Sequence, residues 1–201
     1  ICCYTQLVFN LRPSTGSSRR DLKQILFFHK IGSIKMGHYK TKYFGEILID
    51  ETRDFVSIDV TYKNNIISIS LSNCNIYKDK LKKCLEILDN YIEINEIAKK
   101  AIRENFPENK TIKYYFKNYF ELLDKKERIE IFGVNNFNKF DITKTVENLK
   151  YPDLLFNIDN NEITVSVDYK VAKGFVDEIL EEILSVRMNE ELKVIEFEYV
   201  S

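Results

Sequence analysis

The stretch FVSIDVTYKNNIISISLS, Phe55 to Ser72, decides the fold, because its apolar residues recur at every second position. Val56, Ile58, Val60 and Tyr62 point one way while Ser57, Asp59 and Thr61 point the other, the alternation of a half-buried strand. Asn64 and Asn65 tolerate positive φ and supply a turn. Ile67, Ile69 and Leu71 then alternate with Ser68, Ser70 and Ser72. This pattern predicts an antiparallel hairpin.

Working outward, YFGEILID from Tyr43 also has a period of two and leads into this hairpin. On the C-terminal side the period becomes helical at Tyr77. Leu81, Cys84, Leu85, Leu88 and Ile92 mark one stripe, and Ile97, Ala98, Ala101 and Ile102 continue it after a break near Asn95. Pro107 ends that run. Ile112, Tyr115, Phe116, Tyr119 and Leu123 form the stripe of a further helix, GVNNFNKF reads as a loop, and Asp141 caps a short helix in DITKTVENL. After Pro152 the period returns to two: LLFNID, a turn at Asn160 and Asn161, and EITVSVDYKV with Ile163, Val165, Val167 and Tyr169 on one face.

The segment from Gly174 is ambiguous. Val176, Ile179, Leu180, Ile183 and Leu184 suit a short helix, which gives way to a strand through Leu184, Val186 and Met188. NEEL then turns into a last strand with Ile195, Phe197 and Tyr199 inward. The expected class is α+β: a mainly antiparallel sheet from N- and C-terminal hairpins, with a central group of helices on one face.

A chain of 201 residues, 44% hydrophobic and 30% charged, matches one ordinary soluble domain, and no apolar run approaches the length of a membrane span. Cys2, Cys3, Cys74 and Cys84 show no metal-ligand spacing and suggest a reduced cytoplasm. Heavy use of Ile, Lys and Asn suggests AT-rich codons and a low-GC bacterium. The first residues are basic (Arg12, Arg19, Arg20, Lys23, Lys30 and Lys35 against Asp21), lack the order of a signal peptide, and contain only a marginal helix in DLKQILFF. Gly32 and Ser33 precede Met36 at a spacing suited to a ribosome-binding purine run. The expectation is that residues 1–35 are a non-native or disordered extension, that translation starts at Met36, and that 36–201 is one domain.

No phosphate-binding loop, dinucleotide fingerprint, zinc-protease helix or nucleophile elbow is present. His38 is the one histidine after residue 35, beside the expected start. Asp153, Asp159 and Asp168 flank the second hairpin, where surface solvation explains them better than paired-carboxylate catalysis. Lys110, Lys113 and Lys117 interleave with Tyr114, Tyr115 and Phe120, but Glu121 and Asp124 follow, and core packing accounts for the aromatic residues better than nucleic-acid stacking. The lysines of YKDKLKKC read as a solvated helical face.

The acidic excess lies at the C-terminal end: Asp177, Glu178, Glu181, Glu182, Glu190, Glu191, Glu196 and Glu198 against Arg187 and Lys193. Glu196 and Glu198 share a strand face and repel each other unless a cation such as Arg187 lies across the hairpin. Such charge protects an edge strand from self-pairing. It also suits a docking surface for a basic protein, with Glu181, Glu182, Glu190, Glu191, Glu196 and Glu198 as the candidate contact residues.

YFGEILID, the strand pair ending ISISLS, the helix pair, and YPDLLFNIDNNEITVSVDYKV closing on a C-terminal hairpin together resemble a bacterial family known only as a domain of unknown function, number two thousand and four. The likeness runs from about Tyr39 to Ser201 and implies no catalytic residues. The functional expectation is a cytoplasmic, non-enzymatic protein-binding domain of the immunity or antitoxin kind, with no cofactor, no metal and no membrane association. Its alternatives are a carboxylate-using hydrolase or transferase and, less favoured, a nucleic-acid-binding domain.

Overall fold

The computed structural model describes residues 35–149, 151–171 and 182–200. The expected extension, apart from Lys35, lies outside these residues, as do Val176, Ile179 and Leu180 of the ambiguous segment. A first hairpin, β1 (Met36–Thr41) and β2 (Gly45–Asp50), stands as its own two-stranded sheet. Two further strands follow, β3 (Phe55–Tyr62) and β4 (Asn65–Ser72). Next come five α-helices: α1 (Lys78–Leu88), α2 (Tyr91–Asn105), α3 (Lys110–Leu122), α4 (Lys125–Phe132) and α5 (Ile142–Asn148). Four strands complete the described chain: β5 (Asp153–Asp159), β6 (Glu162–Tyr169), β7 (Ile183–Asn189) and β8 (Val194–Val200).

Strands β3 to β8 form one six-stranded sheet in sequence order. Only the β4–β5 pair is parallel, because the helices occupy the crossover between them. The fold is therefore α+β with a mainly antiparallel sheet.

The alternation seen in the sequence builds the core directly. Ile67, Ile69, Leu71, Leu154, Phe156, Ile158, Ile163, Val165, Val167, Leu184, Val186 and Met188 are buried on one face, in a single cluster with the inward residues of the helices. Each such side chain contributes roughly 1.5–3 kcal/mol relative to exposure. Buried tyrosines join the layers without orphaned hydroxyls. Tyr91 Oη donates to Pro152 O at 3.0 Å, Tyr115 Oη to Tyr169 O at 2.9 Å, and Tyr169 Oη to Asn95 Oδ1 at 2.7 Å.

The turns follow the asparagines, with one shift. Asn160 and Asn161 have φ of 46° and 69° and join Asp159 to Glu162, as expected. In the first long hairpin the positive-φ pair is Lys63 and Asn64, one residue earlier than expected, because Asn65 already pairs with Tyr62. A two-residue loop of this kind needs positive φ at both positions.

The helical break falls at Asp89 and Asn90, not near Asn95. The buried face of α2 is thereby rephased to Tyr91, Ile94, Asn95, Ala98, Ala101 and Ile102, while Ile92 and Ile97 are only half-buried. Asn95 stays inside the helix because its side chain is the acceptor for Tyr169. Helix α4 escaped the sequence reading because it is polar almost all round, with Phe132 its one buried residue. Its start is fixed by a capping box, in which Asp124 accepts from Glu127 N and Glu127 reaches back to Asp124 N, and its end by Gly133 at φ 71°.

At the far edge a bulge shifts the register between Arg187 and Met188, so Met188 pairs with Val194 and Ile195 is left over. Ile195 is consequently 57% exposed, not inward as the simple alternation implied, whereas Phe197 and Tyr199 do pack on the core. Strand β1 was also missed. Its apolar content is low, and the buried residues of this hairpin are Thr41, Ile47 and Ile49.

Candidate functional site

Alternation that buries one face of the six-stranded sheet turns a second set of side chains to the other. Most of these are polar: Ser57, Asp59 and Thr61 on β3, Ser68, Ser70 and Ser72 on β4, Asp153 and Asn157 on β5, Thr164, Ser166 and Asp168 on β6, Ser185 and Arg187 on β7, and Glu196 and Glu198 on β8, with Leu155 on β5 and the Ile183–Val200 pair of β7 and β8 among them. Phe55, 54% exposed, and Ile66, 64% exposed, stand at opposite ends of the β3–β4 pair on this face.

Register aligns one row across all six strands. Asp59 lies opposite Ser68, Asp153 opposite Asp168, Asp168 opposite Ser185, and Ser185 opposite Glu198. Ser68 N–H links β4 to β5 by donating to Asp153 Oδ1 at 2.8 Å. Most members of the row find donors nearby. Ser68 Oγ donates to Asp59 Oδ1, and Arg187 Nη1 donates to Glu198 Oε1 at 2.8 Å and to Glu196 Oε2 at 3.2 Å. Arg187 thus relieves the repulsion that the spacing of Glu196 and Glu198 creates.

The centre of the row is different. Asp168 Oδ1 and Ser185 Oγ are buried and make no hydrogen bond of ideal geometry, although the Ser185 hydroxyl is close enough to the Asp168 carboxyl to interact with it. Burial raises the Asp168 carboxyl above the ordinary aspartate range. The adjacent Ser185 hydroxyl and Lys170 oppose that rise, and the charges of Asp153 and Glu198 add to it. The expectation of simple surface solvation therefore holds for Asp159, exposed at a hairpin tip, but not for Asp168. Asp153 and Asp168 come together as register partners, and Asp159 does not join them.

The acidic candidates of the C-terminal end are dispersed. Glu181 lies outside the described residues. Glu182 faces α3, where both its carboxylate oxygens lie 2.8 Å from Asn118 Nδ2. Glu190 and Glu191 sit at the β7–β8 tip, with Glu191 2.7 Å from Lys193 Nζ. Only Glu196 and Glu198 belong to the open face.

Sequence reading missed Lys99. It is 9% exposed on α2, and its Nζ donates to Leu149 O at 3.0 Å and Glu147 O at 3.5 Å, capping the end of α5 with a cation. Burial lowers its pKa. A shallow hollow of about 280 Å³ lies beside it, lined by Asn65, Asn95, Glu96, Glu147, Leu149 and Tyr151. The correct phase of α2 would have found this lysine, since it lies four residues beyond Asn95 and three before Ile102.

His38 stands in β1, with Nδ1 3.0 Å from Glu46 Oε1 and both side chains exposed. Lys110, Lys113, Lys117 and Tyr114 form an exposed stripe of α3, while Tyr115, Phe116, Tyr119 and Phe120 are buried. Cys74 and Cys84 are free and buried, their thiols pushed up to about 11 and about 12 by burial. Among the described residues no three His, Cys, Asp or Glu side chains are placed to hold a metal ion, and no helix is long and apolar enough to cross a membrane. No family model, curated protein or solved structure matches this chain.

Proposed function

We propose that this chain is a cytoplasmic protein-binding domain that acts by surface contact, in the manner of small immunity or antitoxin proteins. The observation that carries the reading is the open sheet face, a broad array of serine, threonine and carboxylate side chains flanked by exposed Phe55 and Ile66. A non-obligate interface combines apolar contact with about one hydrogen bond per 100–200 Å², and this face offers hydrogen-bonding groups between two exposed apolar side chains. Free, buried Cys74 and Cys84 support a reducing compartment. The likeness to the uncharacterised bacterial family enters this proposal as a likeness of layout and transfers no site residue. Capture from the native host tests the reading: a stoichiometric partner is expected. Its absence, together with turnover in a substrate screen, would overturn it.

The pairing of Asp153 with Asp168 favours a second reading, carboxylate acid–base chemistry. Two neighbouring carboxylates in unequal environments divide acid and base roles, and here one accepts a backbone N–H while burial raises the other. Turnover in that screen, abolished in Asp168→Asn, would establish it.

A further inference from the structure

We propose that the free edge of β3 pairs antiparallel with β3 of a second copy of this chain, joining two six-stranded sheets across a two-fold axis at Ile58. The inference goes beyond the partner reading above and stands on separate observations. The first is the direction of the backbone groups. Tyr62 and Asn65 close a two-residue turn and so exchange hydrogen bonds, as do Val60 with Ile67, Ile58 with Ile69 and Val56 with Leu71. Ser68 N–H agrees with this phase, since it donates to Asp153 on β5 and not to Asp59 opposite it. The N–H and C=O groups of Phe55, Ser57, Asp59 and Thr61 therefore point away from β4. Among the described residues no strand or side chain takes them, and the β1–β2 hairpin forms its own sheet.

The second observation is the contrast between the two edges of the sheet. Strand β8 carries a bulge and the carboxylates Glu196 and Glu198, devices that deter strand addition. Strand β3 keeps an unbroken register from Phe55 to Tyr62, contains neither lysine nor proline, and has Asp59 as its one charge. The third is that this edge complements itself. A two-fold axis must set outward backbone groups against outward backbone groups, so the possible registers differ in steps of one ladder pair. With Ile58 opposite its own copy, Ser57 meets Asp59, Phe55 meets Thr61 and Val56 meets Val60, and every outward group finds a partner. Asp59 Oδ1 already accepts from Ser68 Oγ, which leaves the other carboxylate oxygen for the Ser57 hydroxyl of the second copy. On the helix side, half-buried Ile58 gains an apolar neighbour at the axis. The adjacent registers are poorer, because one sets Asp59 against Asp59 and the other leaves Thr61 beyond the end of the paired strand.

Sedimentation equilibrium of the full chain over a wide concentration range is expected to show a reversible monomer–dimer equilibrium. Ser57→Pro removes an outward N–H and no bond to β4, a change that edge strands tolerate. It is expected to weaken the dimer roughly tenfold or more, since each dimer loses two intermolecular hydrogen bonds. Ser70→Arg, on the face of the sheet, is expected to leave self-association within about twofold. Thermal melts confirm that both variants fold. Cross-linking reads the register without relying on the proline variant: in a Cys2→Ser/Cys3→Ser background under mild oxidation, Ile58→Cys is expected to form an intermolecular disulfide faster than Ser57→Cys or Asp59→Cys, because only position 58 faces itself across the axis. A chain that stays monomeric at every concentration overturns the inference, as does a folded Ser57→Pro that dimerises within twofold of wild type. Self-association that Ser70→Arg abolishes and Ser57→Pro spares would put the contact on the sheet face and also overturn it. Equal or faster cross-linking of Ser57→Cys or Asp59→Cys would do the same for the register at Ile58.

Discussion

The two faces of the six-stranded sheet are made by the same strands and differ at every second residue. On the helix side, Phe156, Val165, Val186 and their neighbours are buried, and each tyrosine hydroxyl named above reaches an acceptor. On the open side the residues between them are mostly serines, threonines and carboxylates, and the buried Asp168 carboxyl and Ser185 hydroxyl meet outside ideal hydrogen-bond geometry. The comparison separates what holds the fold from what is left over: the helix side is close-packed with its polar atoms satisfied, and the polar side is the one on which the proposed binding function rests.

Breaking the helix side gives the largest expected effect. Phe156→Ala removes a fully buried ring at the sheet centre and is expected to cost about 3–5 kcal/mol in denaturant unfolding. A loss below about 1 kcal/mol would mean that this layer is not the close-packed core described. Tyr169→Phe comes next. It keeps the ring but leaves Asn95 Oδ1 without its donor, at an expected cost of about 1–3 kcal/mol.

On the open side the sign reverses. Asp168→Asn replaces a buried carboxylate by a neutral isostere and is expected to stabilise the fold by about 1 kcal/mol at neutral pH. The groups facing Asp168 are Asp153 on β5, Lys170 beyond β6, Ser185 on β7 and Glu198 on β8, while Arg187 on β7 lies opposite Ser166. Because the folded carboxyl is raised, its protonation favours the folded state. The wild type gains on the variant as pH falls through that raised range, and the gain is complete below the ordinary value of 3.8. Paired urea titrations across pH 7 to pH 3 measure the difference, and the shifts of Asp50 and Glu51, common to both proteins, cancel from it. The smallest effect belongs to Ser166→Ala, also on the open face, where unfolding is expected to change by no more than about 0.5 kcal/mol.

The architecture was legible wherever one face of an element is apolar and the other polar. Phe55 to Ser72 and Asp153 to Tyr169 carry a period of two and became strands, and the stripe from Ile112 to Leu123 became α3. Elements whose identity rests on caps, bulges or weak apolar content were not legible. Helix α4 is defined by Asp124 and Gly133, β1 by its pairing with β2, and the outward turn of Ile195 by a register shift that alternation does not encode. The site was less visible still. Asp153 and Asp168 lie fifteen positions apart, and only the hairpin turn at Asn160 and Asn161 makes them neighbours. Ser185 reads as an ordinary polar strand residue until β8 and β6 enclose it. Net charge drew attention to Glu190 and Glu191, which topology places elsewhere.

The central claim is that the open sheet face is the binding surface. It is tested most directly by the affinity of the captured host partner for Ser70→Arg, which puts a bulky cation in the middle of that face, against Lys144→Glu at an exposed position of α5. The account predicts at least a tenfold loss for Ser70→Arg with an unchanged melting temperature, and wild-type affinity for Lys144→Glu. Full affinity in Ser70→Arg would contradict it.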